Sequence, residues 1–359
     1  MGGERRVAVA MSGGVDSSVA AALLCAQGYQ VIGLTMRLWD NPQAGDEGSG
    51  CCSPEDIYDA RRVAGQLGIP FYVINFRDFF EREVVNYFVD SYLQGRTPNP
   101  CIVCNQRLKF DLLLRKAREL DARLATGHYA GIQFDAQSNR YLLKKAQDLG
   151  KDQSYFLFTM NQEQLSDCVF PLSDIHKAEV RSLAAELGLK SARKPDSQEI
   201  CFLPNGRYVD FVRQRLGGAG IRPGLILDTR GRVLGTHQGI FAYTVGQRRR
   251  LGIASDRPYY VVALNQRLNQ VIVGREEELY RPGFVIEEAH WVSGMPPAEG
   301  KQVTVKTRYR QTETSARIYL DQPGRVRVKF LSPQKGVVPG QAAVFYQDGT
   351  VIGGGWIKD

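Results

Sequence analysis

Two thiols stand three residues apart in TPNPCIVCN (97–105), Cys101 and Cys104, and a third, Cys201, lies in KPDSQEICF (194–202). A CxxC can hold half of a zinc site, cycle between dithiol and disulfide, carry part of an iron–sulfur cluster, or handle sulfur itself. The spacing alone decides among none of these. Both stretches are polar and rich in turn residues, which suits reactive thiols better than core ones. Cys104 falls where the pattern predicts a helix from about Asn105 to Glu119, and a helix N-terminus favours the thiolate. The other cysteines are Cys25, Cys51, Cys52 and Cys168; Cys25, on an apolar helix face, and Cys168 read as ordinary buried thiols. Seven cysteines without an export-type leader argue for thiol chemistry or metal over a disulfide scaffold.

The sharpest motif is Ser12-Gly13-Gly14-Val15-Asp16-Ser17-Ser18, between the apolar run RVAVAM (6–11) and the helical pattern SVAAALLCAQ (18–27). Glycines let backbone N–H groups approach a phosphate, a helix N-terminus adds more of them, and serine hydroxyls can donate beside them. No Gly-Lys-Ser/Thr follows, so this is not the kinase-type P-loop, nor is it GxGxxG. A bare glycine turn after a first strand is common; the full SGGVDSS resembles the loop of the ATP pyrophosphatase superfamily. That resemblance implies cleavage of ATP to AMP and pyrophosphate, with Asp16 helping to place Mg²⁺. Met36 ends the second strand-like run, where open α/β sheets contact their ligands.

The elements that must position these groups alternate. QVIGLTMRL (30–38) and FYVINF (71–76) read as strands, EDIYDARRVAGQLG (55–68) and 79–93 as helices, and RLATGH ends in a short strand. Such alternation predicts a doubly wound α/β domain with a mostly parallel sheet. Helical patterns recur at 161–167 and 175–188. From about Gly220 the texture changes to short β-rich runs punctuated by glycine, with a soft break near GREEELYRPG (274–283), which suggests two small β-rich modules.

Charge is uneven. Residues 1–203 hold 23 Lys+Arg against 25 Asp+Glu, whereas 204–359 hold 23 against 13, so the whole excess behind the net +8 sits in the second part. That asymmetry suits a polyanion, with nucleic acid ahead of membrane because no basic amphipathic helix is visible. TRYRQ (307–311) is expected on a strand, and GQRRRLGI (246–253) presents three consecutive arginines in a glycine-framed loop. No apolar run is long enough to cross a bilayer, and a cytoplasmic protein is expected.

The ordered set of SGGVDSS, CCS-x-ED-x-x-DA, NP-x-x-x-CN, ATGHYA, KDQSYFL, K-x-EVR-x-x-A, SQEICF, GQRR, TRYRQ and PGQAAVFY with its GGG resembles the bacterial tRNA-specific 2-thiouridylase family along nearly the whole chain. The resemblance implies a catalytic domain at 1–203, a central tRNA-contacting domain at 204–277 and a C-terminal β-barrel at 278–359. It implies ATP-dependent 2-thiolation of a wobble uridine, with Cys201 as persulfide carrier and Cys104 as nucleophile. ATP would meet Ala10, Met11, Ser12, Gly13, Gly14, Val15, Asp16, Ser17, Met36 and Gly127. The target base would be bordered by Asn99, Pro100 and Cys101, with His128 beside it, and tRNA would touch His128, Lys151, Asp152, Gln153, Arg308, Tyr309 and Gln341. The partners implied are tRNA and an upstream persulfide donor, either a cysteine desulfurase or a sulfur-relay protein.

One position departs. The commonest form of the family carries Asp where this chain has Cys101, and Arg250 stands where relatives more often carry Gly. Three thiols with an open coordination position suit a [4Fe–4S] cluster on Cys101, Cys104 and Cys201, and zinc would need a fourth ligand from water, His128 or another cysteine. Cluster and persulfide chemistry both stand open on the sequence. An amide-forming ligase sharing the loop, or a non-catalytic RNA-binding or iron–sulfur protein, are the rival functions.

Overall fold

The computed structural model describes residues 6–39, 53–194, 200–203, 206–218 and 221–358. Cys51, Cys52 and most of SQEICF before Ile200 lie outside them. The first part runs β1 (Arg6–Ala10), α1 (Val15–Ala26), β2 (Gln30–Arg37), α2 (Pro54–Leu67), β3 (Phe71–Asn75), α3 (77–93), α4 (100–118), β4 (Arg123–Thr126), β5 (Ala130–Asp135), β6 (Arg140–Lys145), α5 (Gln162–Ser166), β7 (Cys168–Val169) and α6 (Lys177–Glu186). The parallel sheet has the order β3-β2-β1-β4-β7. Its central strands are apolar without alternation because both faces are covered: Val7, Ala8, Val9, Leu124 and Ala125 are all fully buried. The doubly wound α/β fold expected from the sequence is the fold found.

Local chemistry sets the helix ends. Ser53 and Asp56 form a capping box at the start of α2, Pro54 occupies its first turn, and Gly68 ends it in the left-handed region. Helix α4 begins at Pro100, earlier than the pattern predicted, because the Asn99 side chain accepts from the Ile102 N–H and proline fits the first helical position. Cys101, rather than Cys104, therefore sits at the helix start, and the N-terminal dipole argument moves to it. Beyond Cys104 the helix widens into a π-helical stretch, Asn105–Leu113.

After α7 (Tyr208–Leu216) comes a four-stranded sheet of β8 (Gly224–Asp228), β9 (Val233–His237), β10 (Tyr260–Asn265) and β11 (Gln270–Gly274), ordered β10-β11-β8-β9. Its core is small: Ile226, Ile240, Leu251, Val261, Val271 and Val273. The last six strands are β12 (Arg281–Trp291), β13 (Gln302–Lys306), β14 (Thr314–Gln322), β15 (Arg325–Gln334), β16 (Ala342–Gln347) and β17 (Thr350–Ile357). Their antiparallel order β12-β15-β14-β13-β16-β17 closes where β12 pairs with β17, giving the expected β-barrel without free edges.

Two features were not foreseen. The hairpin β5–β6 leaves the parallel sheet and joins the barrel, with Leu143 opposite Val351 and Lys144 opposite Thr350. TRYRQ is not on a strand: β13 stops at Lys306, and Thr307 closes a turn by bonding to Gln311 (2.5 Å) and to the Gly336 carbonyl (3.3 Å).

The GGG of β17 follows from close packing. A Cβ on Gly354 would lie 2.4 Å from the Ala343 oxygen and 2.9 Å from the Phe158 ring. Gly354→Ala is expected to cost about 1–3 kcal/mol in urea unfolding. Gly65→Ala, inside α2 with open space around its Cβ position, should instead stabilise by about 0.5–1 kcal/mol.

Candidate active site

The chain leaves β1 under tight control. Met11 N–H donates to the Leu34 carbonyl (2.8 Å), and the Thr35 hydroxyl donates to the Met11 carbonyl (2.5 Å). Gly13 then adopts φ +74°, and a Cβ there would fall 2.3 Å from the Asp56 carbonyl oxygen, so only glycine fits. Gly14 is the N-cap of α1 and supplies no side-chain cap, leaving the first N–H groups of the helix pointed into the turn. Serine hydroxyls brace it: Ser17 accepts from the Ser12 N–H (3.1 Å) and donates to the Gly14 carbonyl (3.2 Å), as does Ser18 (2.8 Å). Gly127, at the end of β4, lies so close to α1 that a Cβ would sit 2.8 Å from the Ser17 nitrogen. Ala10 is half-buried, Met11, Val15 and Met36 are buried behind the turn, and the result is an anion cradle at the carboxyl ends of β1 and β4.

Asp16 does not stand as an open metal ligand. Lys177 reaches both its oxygens (2.6 and 2.8 Å), and the Tyr129 hydroxyl donates to Oδ1 (2.8 Å). Gln153 holds Tyr129 in place by accepting from its N–H (3.0 Å) and donating its own N–H to the Tyr129 carbonyl (2.7 Å). The sequence reading passed over Lys177 and Tyr129 as functional residues. The signal available was K-x-EVR, whose lysine opens α6 and so can reach the first turn of α1, against which α6 packs.

The thiols lie on the same edge of the sheet. Just past the end of α4, the Leu120 carbonyl accepts from Arg6 at the start of β1 (3.0 Å). The first turn of α4, with Cys101 and Cys104, therefore stands at the opposite, carboxyl edge, where the glycine cradle is. Cys101 is exposed, whereas Cys104 and Cys201 are half-buried. Cys104 and Cys201 pack against one core cluster; next to Cys201, the Phe202 ring meets Phe80 (5.7 Å) and Phe88 (5.2 Å) of α3. Among the described residues, no three His, Cys, Asp or Glu side chains come together to hold a metal ion. As arranged here, the three cysteines are not gathered into one metal site.

The turn before the thiols joins three parts of the molecule. Thr97 N–H donates to the Pro339 carbonyl (2.8 Å), and the Gln341 amide donates to the carbonyls of Thr97 (2.9 Å) and Pro98 (3.3 Å). The Thr97 hydroxyl bonds Thr244 of the central part (3.4 Å), and the Tyr155 hydroxyl donates to the Ala342 carbonyl (2.9 Å).

With this geometry, the similarity to known proteins becomes specific. Residues 5–205 match the family described as tRNA methyl transferase HUP domain, 209–275 its PRC-barrel domain, and 281–357 the aminomethyltransferase beta-barrel domain. A tRNA-specific 2-thiouridylase MnmA of Geobacter metallireducens is 52% identical over 98% of this chain and 96% of its own length. That of Moorella thermoacetica is 52% identical over 98% of both chains. The chain belongs to the tRNA-specific 2-thiouridylase family. The word methyl transferase in the domain descriptions contrasts with the thiouridylase names of these relatives. Among solved structures, a 4-thiouridine synthetase–RNA complex with bound ATP aligns at 15% identity over 59% of this chain and 50% of that chain, with a TM-score of 0.34.

The remaining residues that the 2-thiouridylase resemblance singles out are distributed unevenly. Lys151 and Gln153 are half-buried, and Gln153 is linked to the cradle through Tyr129. Asp152 is only 4% exposed, and its carboxylate accepts from the N–H groups of Ala146 (3.1 Å) and Ser154 (3.2 Å) and from the Ser154 hydroxyl (2.9 Å). It offers no surface to RNA in this structure and instead shapes the 151–154 turn. Tyr309 packs its ring on Phe156 (4.4 Å), and Arg308 is exposed between the glycine turns at Gly246 and Gly336. Arg250 takes φ +63°, which explains why glycine suits that position better.

His128 is buried between Phe110 (5.7 Å) and Phe170 (5.9 Å), with Nδ1 2.6 Å from the Thr126 hydroxyl. Burial first, and the Lys109 cation second, hold its pKa well below the usual value, so it is neutral at physiological pH. The unfolded chain binds this proton more readily than the folded one, so stability falls as pH drops below about 6.5, continuing down to the folded value. His128→Asn should flatten that part of the pH–stability curve, measured by urea unfolding between pH 7 and 5.

Proposed function

We propose that the chain 2-thiolates a uridine at the tRNA wobble position, using ATP to activate the base and cysteine-borne sulfur to replace its oxygen. The observation that carries this reading is the anion cradle and the thiol-bearing turn standing on one edge of the same sheet. An amide-forming ligase needs the cradle but neither of the half-buried thiols. The domain descriptions that say methyl transferase fit less well, since activation by a pyrophosphate-binding loop has no part in methyl transfer.

The C2 oxygen of uridine is a poor leaving group. Attack of that oxygen on the α-phosphate of ATP makes it part of an adenylate and releases pyrophosphate, whose charge the α1 N–H groups and the Ser12 hydroxyl can receive. Mg²⁺ would be held chiefly by phosphate oxygens, because the Asp16 carboxylate is already paired with Lys177. The outer sulfur of a persulfide on Cys201 then attacks C2, and AMP leaves. Cys104 either frees hydrosulfide from the persulfide beforehand or attacks the Cys201 sulfur afterwards, releasing the thiocarbonyl and leaving a Cys104–Cys201 disulfide. Asn99, Pro100 and Cys101 border the extruded base in this reading. The sulfur comes from a cysteine desulfurase or a sulfur-relay protein.

Mass spectrometry of tRNA nucleosides after incubation with ATP, Mg²⁺ and a persulfide donor should find 2-thiouridine, with tRNA-dependent release of pyrophosphate. Cys201→Ser should reduce the thiolated nucleoside to background; undiminished product would overturn the carrier role. Binding of tRNA should weaken steeply with salt, and Arg308→Ala should lower the slope of log K against log salt by about 1.

A further inference from the structure

We propose that Cys101 and Cys104 form a dithiol–disulfide pair that clears the oxidised enzyme after sulfur transfer, with Cys101 as the thiol that sets Cys201 free. This inference rests on the persulfide reading above and extends it. Three observations carry it. Cys101 and Cys104 are three residues apart on the first turn of α4, so their side chains share one helix face with Cβ atoms about 5–6 Å apart. A disulfide needs about 3.5–4.5 Å, a closure that a helix-start CxxC can make. Their exposure is graded, Cys101 open to solvent and Cys104 half-buried, which presents the first thiol to an external reductant and the second to the interior. The turn that carries them is fixed from outside the helix: Asn99 caps it, and Pro339 and Gln341 of the barrel hold Thr97 and Pro98. The turn that carries both thiols is therefore braced by the barrel as well as by its own cap.

The chemistry balances. Sulfur transfer leaves a Cys104–Cys201 disulfide. The Cys101 thiolate attacks the Cys104 sulfur, a Cys101–Cys104 bond forms, the Cys104–Cys201 bond breaks, and Cys201 departs as a thiolate ready to be loaded again. No electrons are gained or lost in that exchange. The two oxidising equivalents move to the exposed pair, from which a dithiol reductant removes them. With Asp at position 101 this step is impossible and the reductant must reach the half-buried Cys104–Cys201 bond directly. Metal ligation is the competing use of the same thiols, and the described residues do not assemble such a site.

The test maps disulfides in the enzyme after thiolation without reductant, quenched by alkylation and analysed by peptide mass spectrometry. The wild type is expected to carry a Cys101–Cys104 bond and an alkylated Cys201, and Cys101→Ser, whatever its rate, a Cys104–Cys201 bond. A wild type holding only the Cys104–Cys201 bond would overturn the proposal. A second arm needs no turnover: Cys201→Ser, equilibrated across ratios of reduced to oxidised dithiothreitol, should form the Cys101–Cys104 bond reversibly. Its absence at every ratio overturns the proposal while leaving the persulfide reading intact. Full thiolation by Cys201→Ser overturns both.

Discussion

Hydrogen bonds at Thr97 and Pro98 hold the chemistry of this enzyme together. Thr97 gives its N–H to the Pro339 carbonyl, and its own carbonyl, with that of Pro98, is taken by the Gln341 amide. Backbone groups in a buried turn must be paired somewhere, and here the partners belong to a different part of the chain. The approach is close enough that a Cβ on Gly340 would lie 2.9 Å from the Thr97 nitrogen. From this seam the helix-start thiols project in one direction and the barrel in the other. Gln341, expected from the resemblance to contact tRNA, has its amide donors turned to the chain itself. The half-buried residue fixes the turn that leads into α4.

The hairpin β5–β6 makes a second tie. It begins four residues after Thr126 at the end of β4, so the strand that brings Gly127 to the glycine cradle continues into the barrel sheet. Between the two ties lies a half-buried set of charges. Lys145 pairs with Glu313, Lys306 stands 3.9 Å from Asp152, and the two lysines flank the Tyr346 ring at 4.6 and 5.6 Å. Removing one member would leave another uncompensated, so the network resists sliding of the barrel relative to the 151–154 turn. That turn carries Gln153, which holds Tyr129, which in turn bonds Asp16 in the cradle. Contacts thus run without a break from the barrel to the glycine cradle.

Much of this was legible in the sequence, for identifiable reasons. The parallel sheet announced itself because strands covered on both faces are apolar without interruption, and Gly13-Gly14 could be read because only glycine tolerates that φ and that approach. The start of α4 was misjudged because Asn99-Pro100 looks like a turn until the Asn99 side chain is seen to accept from Ile102. TRYRQ alternates like a strand, but a side-chain bond between Thr307 and Gln311 bends it, and such bonds have no period to detect. Lys177 and Tyr129 escaped because their partner Asp16 is more than a hundred residues away. Pairing at that distance is a product of topology.

The cradle's electrostatics follow from what Lys177 does to Asp16. A helix N-terminus welcomes an anion, and Asp16 in the first turn of α1 is one already. Left alone, its carboxylate would compete with an incoming phosphate for the same N–H groups and repel it. Lys177, largely buried and stacked over the Tyr129 ring at 5.7 Å, cancels that charge. Tyr129 holds the second side of the carboxylate, so Asp16 is anchored away from the turn without leaving it. The site thereby presents N–H groups and no uncancelled carboxylate to an anion. The desolvation of the ion pair is met in folding rather than at the moment ATP binds. A glycine loop alone would mark a turn; the buried lysine brought to it by α6 removes the carboxylate charge that would oppose an anion there, so the partial positive charge of the helix N-terminus is left to act.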